Sequence, residues 1–355
     1  MIEHTRSHQQ PRRIGLLTAG GDCQALNPAL RALTLGACIT HDWEVYGFKD
    51  GYLGLQEGRF KRLTPAHVAG IQGIGGTILG TGRGQSGSVG SIDEAVERCR
   101  EVYDDLGLST LICLGGDGTQ RFARRLHEQV GLNIITLPKT IDNDIRGTDV
   151  TFGFDTATHI AAEAIDRLHT TASSHHRVML LEVMGRNAGW LAASSALAGG
   201  ADVALLPEIP YRLDRVVDAV KDDVSRGRSY SIVVIAEGAV SEERAATGAP
   251  VRLHSAAMEL VEQLPELTAA EVRLTSLGHV MRGGSPTSTD RILASQLGTR
   301  AIELAEAEVY GVMVAVRGAE LKPVPLTEVG GEPRSVPLDH PLITSLRAVG
   351  TALGN

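Results

Sequence analysis

Two short segments carry the residues that could do chemistry. Gly115-Gly116-Asp117-Gly118-Thr119 follows one apolar run, and Pro138-Lys139-Thr140-Ile141-Asp142-Asn143-Asp144 follows the next. Together they set three carboxylates and several glycines at the ends of two apolar runs. Glycine lets a phosphate reach backbone N–H groups, one carboxylate can hold magnesium, and another can take a proton. That is the chemistry of phosphoryl transfer, in which positioning and electrostatics outweigh covalent work by the protein. If the second segment is extended, Asp142 and Asp144 share one side of it. An Asp-Gly turn and an Asp-Asn-Asp loop serving only their own backbone would read the same way.

Further groups stand at similar places. Gly20-Gly21-Asp22 closes an apolar run and opens a helical stretch, a second position suited to phosphate. Its spacing matches neither the Walker A nor the GxGxxG pattern. Arg83 follows Gly80-Thr81-Gly82, Arg177 follows His175-His176, Arg186 follows Gly185, and Arg273 and Arg282 bracket Leu277-Gly278-His279. Arginine offers a bidentate fork for phosphate. Solvated surface arginines and a core histidine at 279 are the blander readings. His175 and His176 lack a partner at metal-ligand spacing.

The elements that must position these residues alternate between short apolar runs and helical stretches. Strands are predicted at Ile14–Leu17, Glu44–Phe48, Leu111–Leu114, Ile134–Leu137, Val178–Val183, Val203–Leu206, Ser231–Ala236 and Val312–Val316, with Arg273–Val280 extended. Helices are predicted at Ala29–Ala37, Ser91–Leu106, Gln120–Val130, Ala157–Leu168, Ala188–Leu197, Leu213–Val224 and Thr289–Glu306. Ser91 with Glu94 forms a capping box ahead of an amphipathic pattern. Strands apolar on both faces suit a parallel sheet covered by helices, so the fold class is α/β with two Rossmann-like domains. Gly84–Gly90 and Val240–Pro250 read as loops. The stretch beyond Gly330 carries no pattern until Leu342–Leu353.

Bulk properties narrow the function. The chain has 355 residues, enough for about two domains. Its net charge of -8 argues against a general affinity for nucleic acid or anionic membrane, so an anionic substrate needs a local cluster of cations. The four cysteines, Cys23, Cys38, Cys99 and Cys113, form no CxxC pair and read as reduced thiols of a cytoplasmic protein. No apolar run approaches the roughly 18 residues of a membrane span. Residues 1–12 are polar, lack the apolar core of a signal peptide and read as a tail.

With these motifs in order, the chain closely resembles the 6-phosphofructokinase family. The resemblance rests on Leu17-Thr18-Ala19-Gly20-Gly21-Asp22, Asp50-Gly51-Tyr52-Leu53-Gly54-Leu55, the Gly115 and Pro138 segments, Glu182-Val183-Met184-Gly185-Arg186, Leu277-Gly278-His279, Arg282-Gly283-Gly284-Ser285-Pro286 and Asp290-Arg291-Ile292-Leu293-Ala294. It implies a nucleotide-phosphate domain over 13–150 plus about 281–330. It also implies a sugar-phosphate domain over 151–280 plus about 331–355. The implied reaction passes the γ-phosphoryl of Mg-ATP to the 1-hydroxyl of fructose 6-phosphate. Asp142 would take the hydroxyl proton, with Arg186 and Thr140 beside the transferring group. Asp117 would hold Mg2+. Gly21, Tyr52, Arg83, Gly118 and Thr119 would contact ATP. Thr140, Asp142, Asp144, Met184, Gly185, Arg186, Glu237, His279 and Arg282 would contact the sugar phosphate. Arg177 and Arg273 would reach it from a neighbouring subunit, which implies a homodimer or homotetramer with shared active sites. The account requires Asp117 and Asp142 to face a common cleft.

One pair of residues divides the family's two donor types. The resemblance gives ATP enzymes glycine at 118 and usually glycine at 139, and gives pyrophosphate enzymes aspartate and lysine there. This chain has Gly118 with Lys139. A carboxylate at 118 would stand where the α-phosphate of ATP lies. Two like charges at about 4 Å in an effective dielectric near 20 repel by roughly 4 kcal/mol. Lysine only adds a phosphate donor, so ATP is the expected donor. The alternatives are a pyrophosphate-dependent enzyme and an ATP kinase for another phosphosugar such as sedoheptulose 7-phosphate. A catalytically silent nucleotide or sugar-phosphate sensor is the remote one. An effector site carries over only in part. Arg31, Arg226 and Arg228 match pieces of it, but Leu35 and Pro65 replace expected arginines and Asp202 an expected glutamate.

Overall fold

The structure, a computed structural model, describes residues 11–82, 91–225, 229–248, 250 and 252–355. Arg83, the Gly84–Gly90 loop, Arg226 and Arg228 lie outside them. The chain divides into two compact units. The first comprises Met1–Lys139, Gly147–Asp149 and Arg291–Gly330, and the second Thr140–Arg146, Val150–Asp290 and Gly331–Asn355. The boundary thus falls at the Lys139–Thr140 peptide, and the segment carrying Asp142 belongs to the second unit.

Among the described residues eleven strands form two sheets. In chain order they are β1 (Arg13–Ala19), β2 (Glu44–Phe48), β3 (Phe60–Leu63), β4 (Thr110–Gly115), β5 (Ile134–Pro138), β6 (Val178–Val183), β7 (Val203–Leu205), β8 (Ser231–Ala236), β9 (Val272–Ser276), β10 (Val312–Arg317) and β11 (Glu320–Pro325). The first unit holds the seven-stranded sheet, in the order β11-β10-β5-β4-β1-β2-β3. Its centre is parallel and its two edge pairs, β10–β11 and β2–β3, are antiparallel. The second unit holds β7-β8-β6-β9, all parallel. β4, β5, β6 and β8 are buried along their whole length, which explains why their sequences are apolar without alternation.

Helix ends follow local chemistry. Ser91 caps Ile92–Asp105 by accepting the Glu94 N–H, and Glu94 returns the bond to Ser91. Asp290 is fully buried and caps Phe154–His175, accepting the N–H groups of Gly153 and Thr156 at 2.8 Å each.

Several segments differ from expectation. The helix after β4 begins at Asp117, not Gln120, so Asp117, Gly118 and Thr119 form its first turn. After β9 the chain does not stay extended. Gly278–Arg282 is a 3-10 turn, entered through Gly278 at φ +46. Within Val240–Pro250, Glu242–Ala246 is a short helix capped by Ser241. Helix Ser255–Thr268 buries Ala256, Ala257, Leu260 and Leu264 at helical spacing but carries Pro265 inside it, and strands β3 and β11 are mostly exposed, so none of the three is among the expected elements. Among the described residues no helix is long and apolar enough to cross a membrane.

Candidate active site

In the first unit the strand order reverses about β1. The chain runs from β1 to β2 on one side and later places β4 on the other. Open α/β sheets bind ligands at the carboxyl ends of strands beside such a reversal. Gly20 and Gly21 follow β1 there, Gly115 ends β4 and Gly116 follows it. Gly20 has φ +82, and a Cβ on it would lie 3.6 Å from the Thr119 hydroxyl and 3.7 Å from the Lys139 ammonium. Three segments therefore meet: the β1 turn, the helix beginning at Asp117, and the end of β5. Lys139 is only 2% exposed and its ammonium donates to the Gly21 carbonyl. Thr81 closes the loop by donating to the Gly20 carbonyl at 2.7 Å.

Gly115 allows the approach of Thr119, since a Cβ would sit 2.1 Å from its hydroxyl oxygen. Gly118 is different: a Cβ there meets nothing within 4 Å among the described residues. Tyr52 is 3% exposed, packs edge-on against Phe122 and donates from its hydroxyl to the Thr119 carbonyl at 3.0 Å. Its ring thus braces the first helical turn. Asp117 is partly exposed and pairs with Arg121 at 3.0 Å. Magnesium is usually held by one or two carboxylates together with substrate phosphates and water. One carboxylate at a helix N-terminus beside open backbone fits that pattern, once Arg121 swings aside.

In the second unit the candidate residues follow the ends of three adjacent parallel strands, β8, β6 and β9. Met184, Gly185 and Arg186 follow β6, Glu237 follows β8, and His279 and Arg282 stand on the turn after β9. Gly185 has φ +139 and Arg186 φ +52. Arg186 donates its backbone N–H to the Glu237 carboxylate at 2.9 Å. A Cβ on Gly238 would fall 1.9 Å from the Arg186 carbonyl, so the two strand-end turns touch backbone to backbone. Met184 N–H meets the Met281 sulfur at 3.4 Å, tying the β6 end to the 3-10 turn.

Asp142 belongs to this set. It is 5% exposed, and its Oδ1 is buried without a hydrogen-bond partner among the described residues. Burial, first, and the neighbouring Asp144 push its carboxyl up to about 6; Glu237 adds to the rise, while Arg282 and Arg186 oppose it. Those influences place Asp144, Arg282, Glu237 and Arg186 around one carboxylate. The segment is not extended. Asn143 sits at φ +53 and accepts the Thr151 N–H at 3.0 Å, while the Asp142 N–H turns back to the Thr140 hydroxyl at 3.1 Å. Asp142 and Asp144 are neighbours because of this turn, not because of strand alternation.

Arg177 and Arg273 are not brought to this end. They stand at the starts of β6 and β9, the opposite ends of these strands, and both pair with Glu271. Two groups near the site escaped the sequence reading. Glu182 accepts from His254 at 3.0 Å and Ser276 at 2.7 Å, and Arg334 holds the Asn143 carbonyl. Glu182 stands in the Glu182–Arg186 motif but was given no role there, and Arg334 lies in no pattern that marks chemistry.

The first unit is thus a phosphate-suited α/β sheet, and the second presents a buried carboxylate within electrostatic reach of two arginines and two acids. The phosphofructokinase family profile matches residues 13–305. The ATP-dependent 6-phosphofructokinase of Propionibacterium freudenreichii subsp. shermanii is 45% identical, covering 97% of this chain and 99% of its own. That of Spirochaeta thermophila is 47% identical over 97% and 98%. Among solved structures, Pichia pastoris phosphofructokinase in the T-state aligns with a TM-score of 0.79 at 30% identity, covering 91% of this chain and 36% of that larger one. The chain belongs to the phosphofructokinase family.

Proposed function

We propose that this chain is an ATP-dependent 6-phosphofructokinase, moving the γ-phosphoryl of Mg-ATP to the 1-hydroxyl of fructose 6-phosphate. The observation that carries the reading is Asp142: a buried carboxylate with an oxygen unpartnered among the described residues, poised at about 6 and flanked by Arg186 and Arg282. A general base works best when its pKa lies near the operating pH. Asp142 accepts the hydroxyl proton as the sugar oxygen bonds to phosphorus and the bond to the β-phosphate oxygen breaks. Arg186 and Thr140 flank the transferring group. Arg282, with His279, takes the 6-phosphate. Asp144, Met184, Gly185 and Glu237 hold the sugar. Bound at Asp117, Mg2+ would supply charge neutralisation to the donor phosphates.

On the donor side, Gly21, Gly118 and Thr119 receive ATP, with Tyr52 acting from beneath as a brace, and Arg83 completes the set. Open space at Gly118 and the named activity of the close relatives both favour ATP. The buried Lys139 ammonium favours pyrophosphate as the second reading, because it adds a cation at the phosphate turn. Arg177 and Arg273, at the far strand ends, serve a neighbouring subunit's site in a homodimer or homotetramer. The four cysteines are not joined in disulfides, in keeping with a cytoplasmic setting.

A coupled assay of the purified protein with fructose 6-phosphate and magnesium tests this, run once with ATP and once with pyrophosphate. ATP-dependent turnover is expected. Turnover only with pyrophosphate, or only with another phosphosugar, replaces the donor or the acceptor. No turnover with any pair sinks the reading.

A further inference from the structure

The stretch after Gly330 holds glycine, proline and scattered charges, and its sequence suggests no role. Within the second unit it makes a specific set of bonds. The Arg334 N–H donates to the Asp144 carbonyl at 2.8 Å. Its guanidinium donates to the Asn143 carbonyl from Nη2 at 2.9 Å and from Nε at 3.3 Å. One residue therefore takes two consecutive carbonyls of the turn that carries Asp142.

The same residue is tied on another side. Its guanidinium carbon lies 4.1 Å from the Trp190 ring centroid, and the Trp190 indole N–H donates to the Arg334 carbonyl at 2.8 Å. Two residues on, the Val336 N–H donates to Glu208 Oε1 at 2.8 Å, and that oxygen also accepts the Gly189 N–H at 2.9 Å. Gly189 and Trp190 begin the helix just past Met184–Arg186. Residues 334–336 thus bridge the Asp142 turn and the arginine-bearing segment after β6.

We propose that Arg334 is a positioning residue for the reaction, locking the Asp142-Asn143-Asp144 turn in register with the Met184–Arg186 segment. This rests on the function proposed above. Asn143 occupies the left-handed region, a conformation that persists only when its surroundings over-determine it. Charge-assisted bonds to its carbonyl are stronger than neutral ones and supply that constraint. Arginine suits the task where lysine does not. A planar fork can bond a carbonyl and stack on an indole at once. Misplacing a reacting group by about 1 Å can cost roughly 10²-fold in rate.

The test is steady-state kinetics of the full chain with ATP and fructose 6-phosphate, alongside thermal melts. Arg334→Ala should lower kcat by roughly 10- to 100-fold while the KM for ATP stays within about twofold. Low millimolar guanidinium chloride should restore turnover saturably, whereas sodium chloride should not. Arg334→Lys should stay at least about fivefold impaired, because an ammonium cannot reproduce the fork. Normal kcat in Arg334→Ala overturns the proposal while leaving the function intact. So does a loss that follows the melting temperature and is not rescued. If Arg334→Ala melts below the assay temperature, Arg334→Lys decides: wild-type kcat in it overturns the role. A wild-type protein without turnover removes the functional reading, and this one with it.

Discussion

The two units assemble their candidate residues by opposite means. In the first, the phosphate-facing side is made by leaving side chains out. Gly20, Gly116 and Gly118 leave backbone at least partly exposed, Gly115 makes room for Thr119, and a Cβ at Gly118 meets nothing within 4 Å among the described residues. Its one candidate metal ligand is partly exposed and already paired with Arg121. In the second, the site is made by burying charge. Asp142 and Glu237 are each 5% exposed, and two residues, Asn143 and Arg186, are held in left-handed conformations. The first unit should therefore be sensitive to what is added, and the second to what is removed.

The largest effect should come from removal. Asp142→Asn should lower kcat by roughly 10²–10⁴ in the coupled assay, with a cooperative melt retained. Near-normal turnover would take the base role from Asp142 and dissolve the contrast. Addition comes next. Because a Cβ at 118 meets nothing within 4 Å among the described residues, Gly118→Asp should fold normally and still raise the KM for ATP by about 10³, the equivalent of roughly 4 kcal/mol of like-charge repulsion. Unchanged ATP kinetics with an unchanged melt would show that the donor phosphates lie elsewhere.

The pH dependence sharpens the second-unit side. With Asp142 pushed up to about 6, kcat/KM should fall about tenfold per pH unit well below that value. The linked stability has the opposite sign from a usual salt-bridged carboxylate. A raised folded-state pKa favours folding while the acid is protonated. That contribution is complete below the ordinary carboxyl range near 3.9 and is lost as pH rises through about 6. Melting curves should therefore show Asp142→Asn gaining on the wild type between about pH 4 and 7. A constant difference across that range would remove the buried-charge argument. The smallest effect belongs to Lys139. Lys139→Gly should raise the KM for ATP only a few-fold, about 1 kcal/mol, the scale of one hydrogen bond. Loss of all ATP turnover in that variant would mean that the ammonium, not the open backbone, dominates donor binding.

Much of this was legible beforehand, for a local reason. The capping box at Ser91, the apolar β4 and β6, and the Gly115 and Pro138 motifs are contiguous stretches. Backbone propensity and turn chemistry act within such stretches. Legibility ended where a residue's meaning depends on distant neighbours. Tyr52 reads as a nucleotide contact, and its burial against Phe122 shows only in the fold. Arg334 stands among glycine and proline with nothing in its surroundings to mark it.

The sequence by itself determined the α/β class, the motif order and the identity of the acids and arginines, because those are properties of short segments and their succession. Only the tertiary structure decided that Asp142 is buried with Asp144, Arg282, Glu237 and Arg186 around it. It alone set Asn143 in a left-handed turn and placed Arg177 and Arg273 at the opposite strand ends. The physical reason is that burial and electrostatic environment are sums over atoms near in space. Here those atoms come from three strand ends and a C-terminal segment far apart along the chain.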